Sequence, residues 1–162
     1  MRSLVITGII LSLACSAKKD MTKVDADSHA TSAKQKSDSL FLTFERSMCY
    51  GECPAFKVIV YSDGNASYEG IKFTDRIGAY ETKMSSDKMK EVLEEAGRIG
   101  YFGMKDKYDN PAVTDVPSCT IMVVGPMGRK NVLDRFDAPD VLKAFEKYLD
   151  TVLLGLDWKK VD

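Results

Sequence analysis

The feature that most constrains the fold is a hydrophobic pattern whose period changes repeatedly along the chain. From Leu40 onward, apolar residues alternate with polar ones in short segments, and a period of two is typical of β-strands. Two other segments repeat apolar residues every three to four positions, which is typical of amphipathic α-helices. The predicted strands cover residues 40–46, 56–61, 66–73, 76–84, 119–124 and 129–136, and the predicted helices cover 85–100 and 137–158.

This order predicts an α+β domain. It is an antiparallel β-sheet built from hairpins, with two α-helices packed on one face, in the order β-β-β-β-α-β-β-α. Asp63-Gly64 is a strong signal for a tight hairpin between the second and third strands. Asp137 is predicted to cap the second helix, with Pro139 in its first turn. The apolar stripes of the two helices comprise Met89, Val92, Leu93 and Ala96, then Val141, Leu142, Phe145, Tyr148, Leu149 and Val152.

The charge balance makes nucleic acid an unsuitable partner. The 162 residues include 23 basic and 24 acidic side chains, which leaves a net charge of -1. A nucleic-acid-binding domain normally carries a basic surface, and no such excess exists here. The length favours one domain, predicted to cover residues 40–158.

The amino-terminal segment predicts export from the cytoplasm. Residues 1–14 combine the charged Arg2, a ten-residue apolar run at 4–13 and the small Ala14, and this combination is typical of a signal peptide. Ten helical residues rise about 15 Å, which is too short to span a bilayer.

Cys15 follows this segment directly, and "LSLAC" resembles the lipobox of bacterial lipoproteins, although Ser12 replaces the usual leucine. The resemblance implies that Cys15 carries a diacylglycerol anchor, which makes the membrane a partner. Residues 15–39 lack aromatic side chains and predict a disordered tether. We therefore expect a cell-envelope lipoprotein, facing the periplasm or displayed on the outer membrane.

Cys49 and Cys53 flank Tyr50-Gly51-Glu52 and leave four chemistries open. A local disulfide is favoured, because disulfides persist outside the cytoplasm and Gly51 eases a sharp turn. Thiol redox catalysis normally places the thiolate at a helix amino terminus, whereas a strand pattern follows Cys53. The other two possibilities are that these cysteines bind a soft metal and that they are a simple pair of reduced structural cysteines. Cys119 is interpreted as a buried thiol, with pairing to Cys49 or Cys53 as the variant.

The sequence offers little catalytic machinery. The only histidine, His29, lies in the tether, and the known motifs for hydrolase nucleophiles, phosphates and dinucleotides are absent. We predict no cofactor and no metal site, and leave enzymatic activity uncertain, with a non-enzyme favoured. A hydrolase that uses Asp106, Asp109 and Asp115 is the weakest alternative.

Recognition surfaces usually lie on loops held by a rigid scaffold. Two loops qualify: the one that contains the cysteine pair and the segment 103–118. The candidate binding residues on them are Tyr50, Glu52, Asp106, Tyr108, Asp109 and Asp115.

Several quoted stretches together resemble one bacterial family. "CYGECPAFKVIVYSDGNASYEG", "YFGMKDKY", "VTDVP", "DAPDVLKAFEKYLD" and the final tryptophan are similar to the domain of unknown function 6438, found largely in exported proteins and lipoproteins. The resemblance covers about residues 40–158 and does not include Cys119. The positions it matches are Cys49, Gly51, Cys53, Pro54, Asp63, Gly64, Tyr68, Gly70, Asp106, Tyr108, Asp115, Pro117, Pro139 and Trp158.

The resemblance implies no activity. We therefore expect a lipid-anchored, non-catalytic binding or structural module with an unidentified protein or small-molecule partner. A periplasmic thiol-redox or metal-binding protein that uses Cys49 and Cys53 is the alternative.

Overall fold

The computed structural model describes residues 40–162, so the predicted signal peptide, Cys15 and the tether lie outside the described residues. The described strands are β1 (Leu40–Arg46), β2 (Ala55–Tyr61), β3 (Asn65–Lys72), β4 (Gly78–Lys83), β5 (Lys107–Tyr108), β6 (Cys119–Gly125), β7 (Gly128–Asp134) and β8 (Lys159–Lys160). The helices are α1 (Ser86–Arg98) and α2 (Asp140–Leu154), and a short 3₁₀ helix at Tyr101–Gly103 follows α1. Within this part of the chain, neither helix is long and apolar enough to cross a membrane.

The eight described strands form one sheet in the order β5-β7-β6-β1-β2-β3-β4-β8. Each neighbouring pair is antiparallel except β5 and β7, which are parallel. The predicted α+β class and the largely antiparallel sheet are therefore confirmed. The β6–β7 hairpin joins the first four strands through the pairing of β6 with β1.

The predicted element order is wrong in two places, because it lacks β5 and β8. β5 lies in a segment predicted to be irregular, and β8 follows residue 158, where the domain was predicted to end. Each of these strands has two residues, which is too few to show a hydrophobic period. They are defined by their partners instead: Lys107 pairs with Leu133, and Lys160 pairs with Tyr80.

The core lies on one face of the sheet, where the alternating residues of neighbouring strands stand in register. Phe44 of β1 pairs with Val58 of β2 on one side and with Ile121 of β6 on the other, and all three are buried. An aromatic row continues this layer, with ring centres 5.8 Å apart from Phe44 to Phe56 and 5.6 Å apart from Phe56 to Tyr68. Both helices add buried residues to the same core, namely Val92, Ala96, Leu142, Phe145, Leu149 and Leu153.

The two helices begin differently. The Ser85 side chain accepts a hydrogen bond from the Lys88 amide at 3.3 Å and so caps the amino terminus of α1. α2 begins after Pro139 without a side-chain cap. The predicted capping role of Asp137 is therefore wrong, because Pro139 occupies the N-cap position and Asp137 lies two residues earlier, where its backbone has a positive φ of 62°.

Two glycines are required by the backbone. Gly64 of the β2–β3 hairpin has a φ of 82°, in the left-handed region that favours glycine, as its turn motif predicts. Gly70 of β3 faces the carbonyl oxygen of Arg76, which a β-carbon at this position would approach to 1.6 Å. The strand and the loop after it can therefore lie this close only with glycine at position 70.

Candidate functional site

Three charged residues occupy positions that the strand and helix patterns assign to the core. Arg46 follows Leu42 and Phe44 on the inward face of β1, and Asp134 follows Val132 on β7. Register places Arg46 opposite Cys119 of β6, and Cys119 opposite Asp134. Glu146 lies on the buried side of α2. Residues of four elements therefore form a polar cluster at one end of the core.

The two cations of the cluster, Arg46 and Lys143, contact some of its carboxylate oxygens and leave others without a cation. Arg46 donates two hydrogen bonds to Asp150, from Nε at 2.9 Å and from Nη2 at 2.6 Å. Its Nη1 lies 3.6 Å from Oε2 of Glu146. Lys143 Nζ donates to Oδ2 of Asp134 at 3.2 Å. Each of the two buried carboxylates thus has one oxygen beside a cation of the protein.

The other oxygen of each buried carboxylate accepts no hydrogen bond from an amine, amide or hydroxyl group of the described residues. Asp134 and Glu146 are each only 7% exposed, and Oδ1 of Asp134 and Oε1 of Glu146 accept no hydrogen bond. Buried polar groups in folded proteins are nearly always satisfied, so an exception requires an explanation. The two carboxyls are close enough to share a hydrogen bond when Glu146 is protonated, so one proton held between them can serve both oxygens, and a bound hydrogen-bond donor can take its place.

The environment raises the pKa of the Glu146 carboxyl to about 7, first because burial disfavours its charge and then because the negative Asp134 is close. Burial also raises the pKa of the Cys119 thiol far above its ordinary value, with a further contribution from Glu146. Burial is the largest single influence and opposes the charge of Arg46, but the hydrogen bonds to Asp150 and the acidic groups nearby together outweigh it and raise the pKa of Arg46. At neutral pH the cluster therefore contains a partly protonated Glu146, a neutral thiol and a charged guanidinium.

A cleft of about 390 Å³ opens onto this cluster, and we call it the cluster cleft. Its rim is formed by the cysteine loop and by the end of the segment that precedes β6. These two pieces are tied together: the Ser47 amide donates to the Ser118 carbonyl at 2.9 Å, and the Ser118 amide donates to Oγ of Ser47 at 2.8 Å. The cleft is lined by Arg46, Ser47, Cys53, Pro54, Val116, Pro117, Ser118, Cys119, Asp134, Arg135, Lys143 and Glu146.

The cysteine loop is closed by a disulfide between Cys49 and Cys53, the chemistry that the sequence favoured. The Gly51 amide donates to Sγ of Cys49 at 3.2 Å, which holds the turn of the loop. Strand β2 starts at Ala55, two residues after Cys53, so no helix dipole points at the sulfurs. Cys119 is free and buried, as predicted. No three metal-ligating side chains converge within residues 40–162.

None of the six predicted binding residues lines the cluster cleft. Tyr50 is 94% exposed and Glu52 is also exposed, both at the tip of the disulfide loop. Asp115 is exposed with a positive φ of 58°. The Tyr108 backbone belongs to β5 and accepts hydrogen bonds from the amides after β7.

Asp106 and Asp109 serve as ion-pair partners. Asp106 binds Lys130 at 2.5 Å. Asp109 pairs with Lys107 at 2.8 Å and with Arg135 at 3.0 Å. Arg135 lines the cluster cleft, so Asp109 acts on the cleft through the position of that guanidinium.

Both loops singled out from the sequence contribute residues to the cluster cleft, but the charged residues between them were missed. Arg46, Asp134 and Glu146 carry a recognisable signal, which is a charge at a position where the local period predicts an apolar residue. Glu146 lies four residues after Leu142 within the apolar stripe of α2. Arg46 and Asp134 each follow a buried inward residue two positions earlier.

Another groove, of about 420 Å³, lies on the opposite face of strands β2, β3 and β4. Its outward residues include Lys57, Ile59, Ser67, Glu69 and Ala79. Its charged residues are at the solvent surface and none is buried without a partner. This outer groove therefore differs in kind from the cluster cleft.

The comparison with known families identifies the family to which the domain belongs. The model of the family described as Domain of unknown function (DUF6438) matches residues 40–153 of the 162-residue chain. The chain belongs to this family. The matched range contains the disulfide, the cluster cleft and all of α2 except its last residue, so the site is part of the DUF6438 domain. No curated protein matches the chain.

Proposed function

We propose that this protein is a lipid-anchored component of the bacterial cell envelope whose DUF6438 domain binds a small ligand in the cluster cleft. The observation that carries the binding role is that two buried carboxylates, Asp134 and Glu146, line the cleft and that each has one oxygen without an amine, amide or hydroxyl donor. A cleft of about 390 Å³ is of the size that small-molecule sites have. The anchor is supported by the sequence of residues 1–15.

The rim of the cleft has the rigidity that a binding site needs. The disulfide closes one loop, and the Ser47–Ser118 hydrogen bonds fix that loop to the other. The bidentate Arg46–Asp150 pair fixes the base of the cleft to α2. A preorganised site binds more tightly because less conformational freedom is lost on binding.

Thiol chemistry is the second candidate, since Cys53 of the disulfide and the free Cys119 both line the cluster cleft. The nucleophile in thiol–disulfide exchange is the thiolate. Burial raises the pKa of Cys119 and keeps its sulfur protonated at neutral pH. Ligand binding therefore explains the cleft better than exchange does.

The binding role is tested by nuclear magnetic resonance on the isotope-labelled chain in detergent micelles. A fragment library with cationic, neutral and anionic members is added, and backbone amide shifts are followed. We expect at least one fragment class to shift amides around Ser47, Val116 and Ser118 while those around Ser67 and Ala79 of the outer groove stay unchanged. If fragments of every charge leave the cleft amides unmoved, the cluster cleft is not a binding site.

The anchor is tested separately by expressing the full chain in bacteria supplied with labelled palmitate. We expect label and membrane association for the parent chain and the loss of both for Cys15→Ala. The matched control, Cys119→Ala, should keep the label, because the lipid is proposed to attach to Cys15. Equal labelling of the parent and Cys15→Ala would refute the anchor.

A further inference from the structure

The two unpartnered oxygens define the chemistry of what the cluster cleft can hold. Oδ1 of Asp134 and Oε1 of Glu146 are both acceptors, and they come from different elements, β7 and α2. The remaining oxygen of each carboxylate is beside Lys143 or Arg46. A proton on Glu146 that is donated to Asp134 serves both oxygens, so a ligand that replaces this proton must donate a hydrogen bond to each of them.

The charge of the cluster points to a positive ligand. Three carboxylates, Asp134, Glu146 and Asp150, face two cations, Arg46 and Lys143. Arg135 at the rim shares Asp109 with the exposed Lys107 and donates to the Val113 carbonyl, so these three residues are counted apart from the buried cluster, and the Cys119 thiol is neutral. The fully ionised cluster thus carries one uncompensated negative charge.

An uncompensated negative charge destabilises a buried site, and one positive charge neutralises it. Near neutral pH a proton held by Glu146 supplies this positive charge. A ligand with a single positive charge can replace the proton. A divalent cation would overcompensate the charge, and within the described residues no three ligating side chains converge to hold one.

The shape of the donor selects among monovalent cations. A primary ammonium is compact and has three donors, so it can reach both oxygens at once. A quaternary ammonium has the charge but no donor. Pro54, Val116 and Pro117 also line the cluster cleft, and their apolar surface suits a short hydrocarbon chain on the ammonium.

We propose that the cluster cleft recognises a small molecule through a primary ammonium group bound between Asp134 and Glu146, with its hydrocarbon portion against Pro54, Val116 and Pro117. This inference rests on the proposed binding function and names its ligand class. Free amines and the amine headgroups of lipids share this chemistry.

The first experiment titrates the labelled chain with n-butylammonium at pH 8 and compares it with 1-butanol, butyrate and tetramethylammonium. We expect n-butylammonium to shift the amides of Ser118, Cys119 and Asp134 and to bind at least about tenfold more tightly than the others, since only it brings both charge and donors. Equal binding of 1-butanol overturns the ammonium proposal while leaving a binding cleft. If fragments of every charge, n-butylammonium included, leave the cleft amides unmoved, the proposed function fails as well.

The second experiment changes the acceptors. Glu146→Gln removes the charge at nearly constant shape. It should weaken the binding of n-butylammonium at least about tenfold, because charge-assisted hydrogen bonds are stronger than neutral ones. The matched control is Glu94→Gln, which changes an exposed glutamate of α1 and should leave affinity unchanged. Asp134→Asn provides a second cleft variant if the first unfolds. Unchanged affinity in a folded cleft variant overturns the proposal.

The third experiment uses competition with the proton. The groups that face Glu146 are Arg46 from β1, Cys119 from β6, Asp134 from β7, and Lys143 and Asp150 from α2. Because binding displaces the proton held by Glu146, affinity should fall about tenfold from pH 8 to pH 6 in the parent chain. The dependence should be lost in Glu146→Gln. A flat profile in the parent chain overturns the proposal without any variant.

The two sources of the amine are separated with vesicles of phosphatidylcholine with and without phosphatidylethanolamine. Phosphatidylethanolamine vesicles that displace n-butylammonium from the cleft would support a headgroup ligand. The absence of displacement would support a free amine.

Discussion

Replacing Glu146 with glutamine should change how stability depends on pH. Burial, and next the charge of Asp134, raise the pKa of Glu146 from 4.5 to about 7 in the folded chain. Below pH 4.5 the carboxyl is neutral in both the folded and the unfolded state. Above pH 7 it is ionised in both. Between these limits the folded state binds more protons, so the free energy of unfolding falls as pH rises.

The magnitude follows from the two pKa values. The interval from 4.5 to about 7, at about 1.4 kcal/mol per unit, corresponds to a loss of about 3 kcal/mol on going from pH 4 to pH 8. Glutamine has no charge to bury, so Glu146→Gln escapes this loss. Arg46 keeps its two hydrogen bonds to Asp150 in the variant, which preserves the rest of the network.

The assay is urea unfolding of both proteins at several values between pH 4 and pH 8.5. We expect the stability of the variant relative to the parent to increase by about 3 kcal/mol across this range. A hydrogen bond from Lys107 lowers the pKa of Asp109, and one from Arg98 lowers the pKa of Glu95. These two carboxylates make the free energy of unfolding rise with pH, but they do so in both proteins, so their contribution cancels in the difference. Glu94→Gln is the control and should show a flat difference, because its carboxylate is exposed. Parallel stability curves for the parent and Glu146→Gln would refute the reasoning.

Three further predictions concern the scaffold. Cys53→Ser opens a five-residue loop and should lower the free energy of unfolding by about 2 kcal/mol, and a reductant should do the same to the parent but not to the variant. Gly70→Ala should lower the free energy of unfolding in urea by at least about 2 kcal/mol, because the new methyl group meets the Arg76 carbonyl. Gly97→Ala, on the open side of α1, should raise the free energy of unfolding by about 0.5–1 kcal/mol. A tolerated Gly70→Ala would contradict the close approach. Tyr101→Phe removes a buried hydrogen bond of 2.7 Å to a carbonyl of β6 and should cost about 1–2 kcal/mol, and a neutral result would show that the carbonyl finds another donor.

Local patterns were sufficient to predict the main elements. The alternation in β1 and β2 and the apolar stripe of α1 each depend on residues close in sequence, and so does the turn at Gly64. The disulfide is equally local, since its cysteines are separated by four positions. Such features are encoded within one or two turns of chain, so a single sequence displays them.

The short strands and the polar cluster depend on distant pairing and could not be located in this way. β5 is defined by the pairing of Lys107 with Leu133, and the local sequence around neither residue predicts this pairing. Arg46 and Asp150 are separated by 104 residues along the chain. The sequence shows a charged residue at a core position in three elements, but only the sheet order brings those elements together.

The most direct test of the central claim is a titration of the Glu146 side chain, followed through its carboxyl carbon by nuclear magnetic resonance with and without n-butylammonium. We predict a midpoint of about 7 in the free chain. Saturating n-butylammonium should lower that midpoint by at least about one unit, because a bound cation favours the ionised carboxylate. A free midpoint near 4.5, or one that n-butylammonium leaves unchanged, would contradict the account.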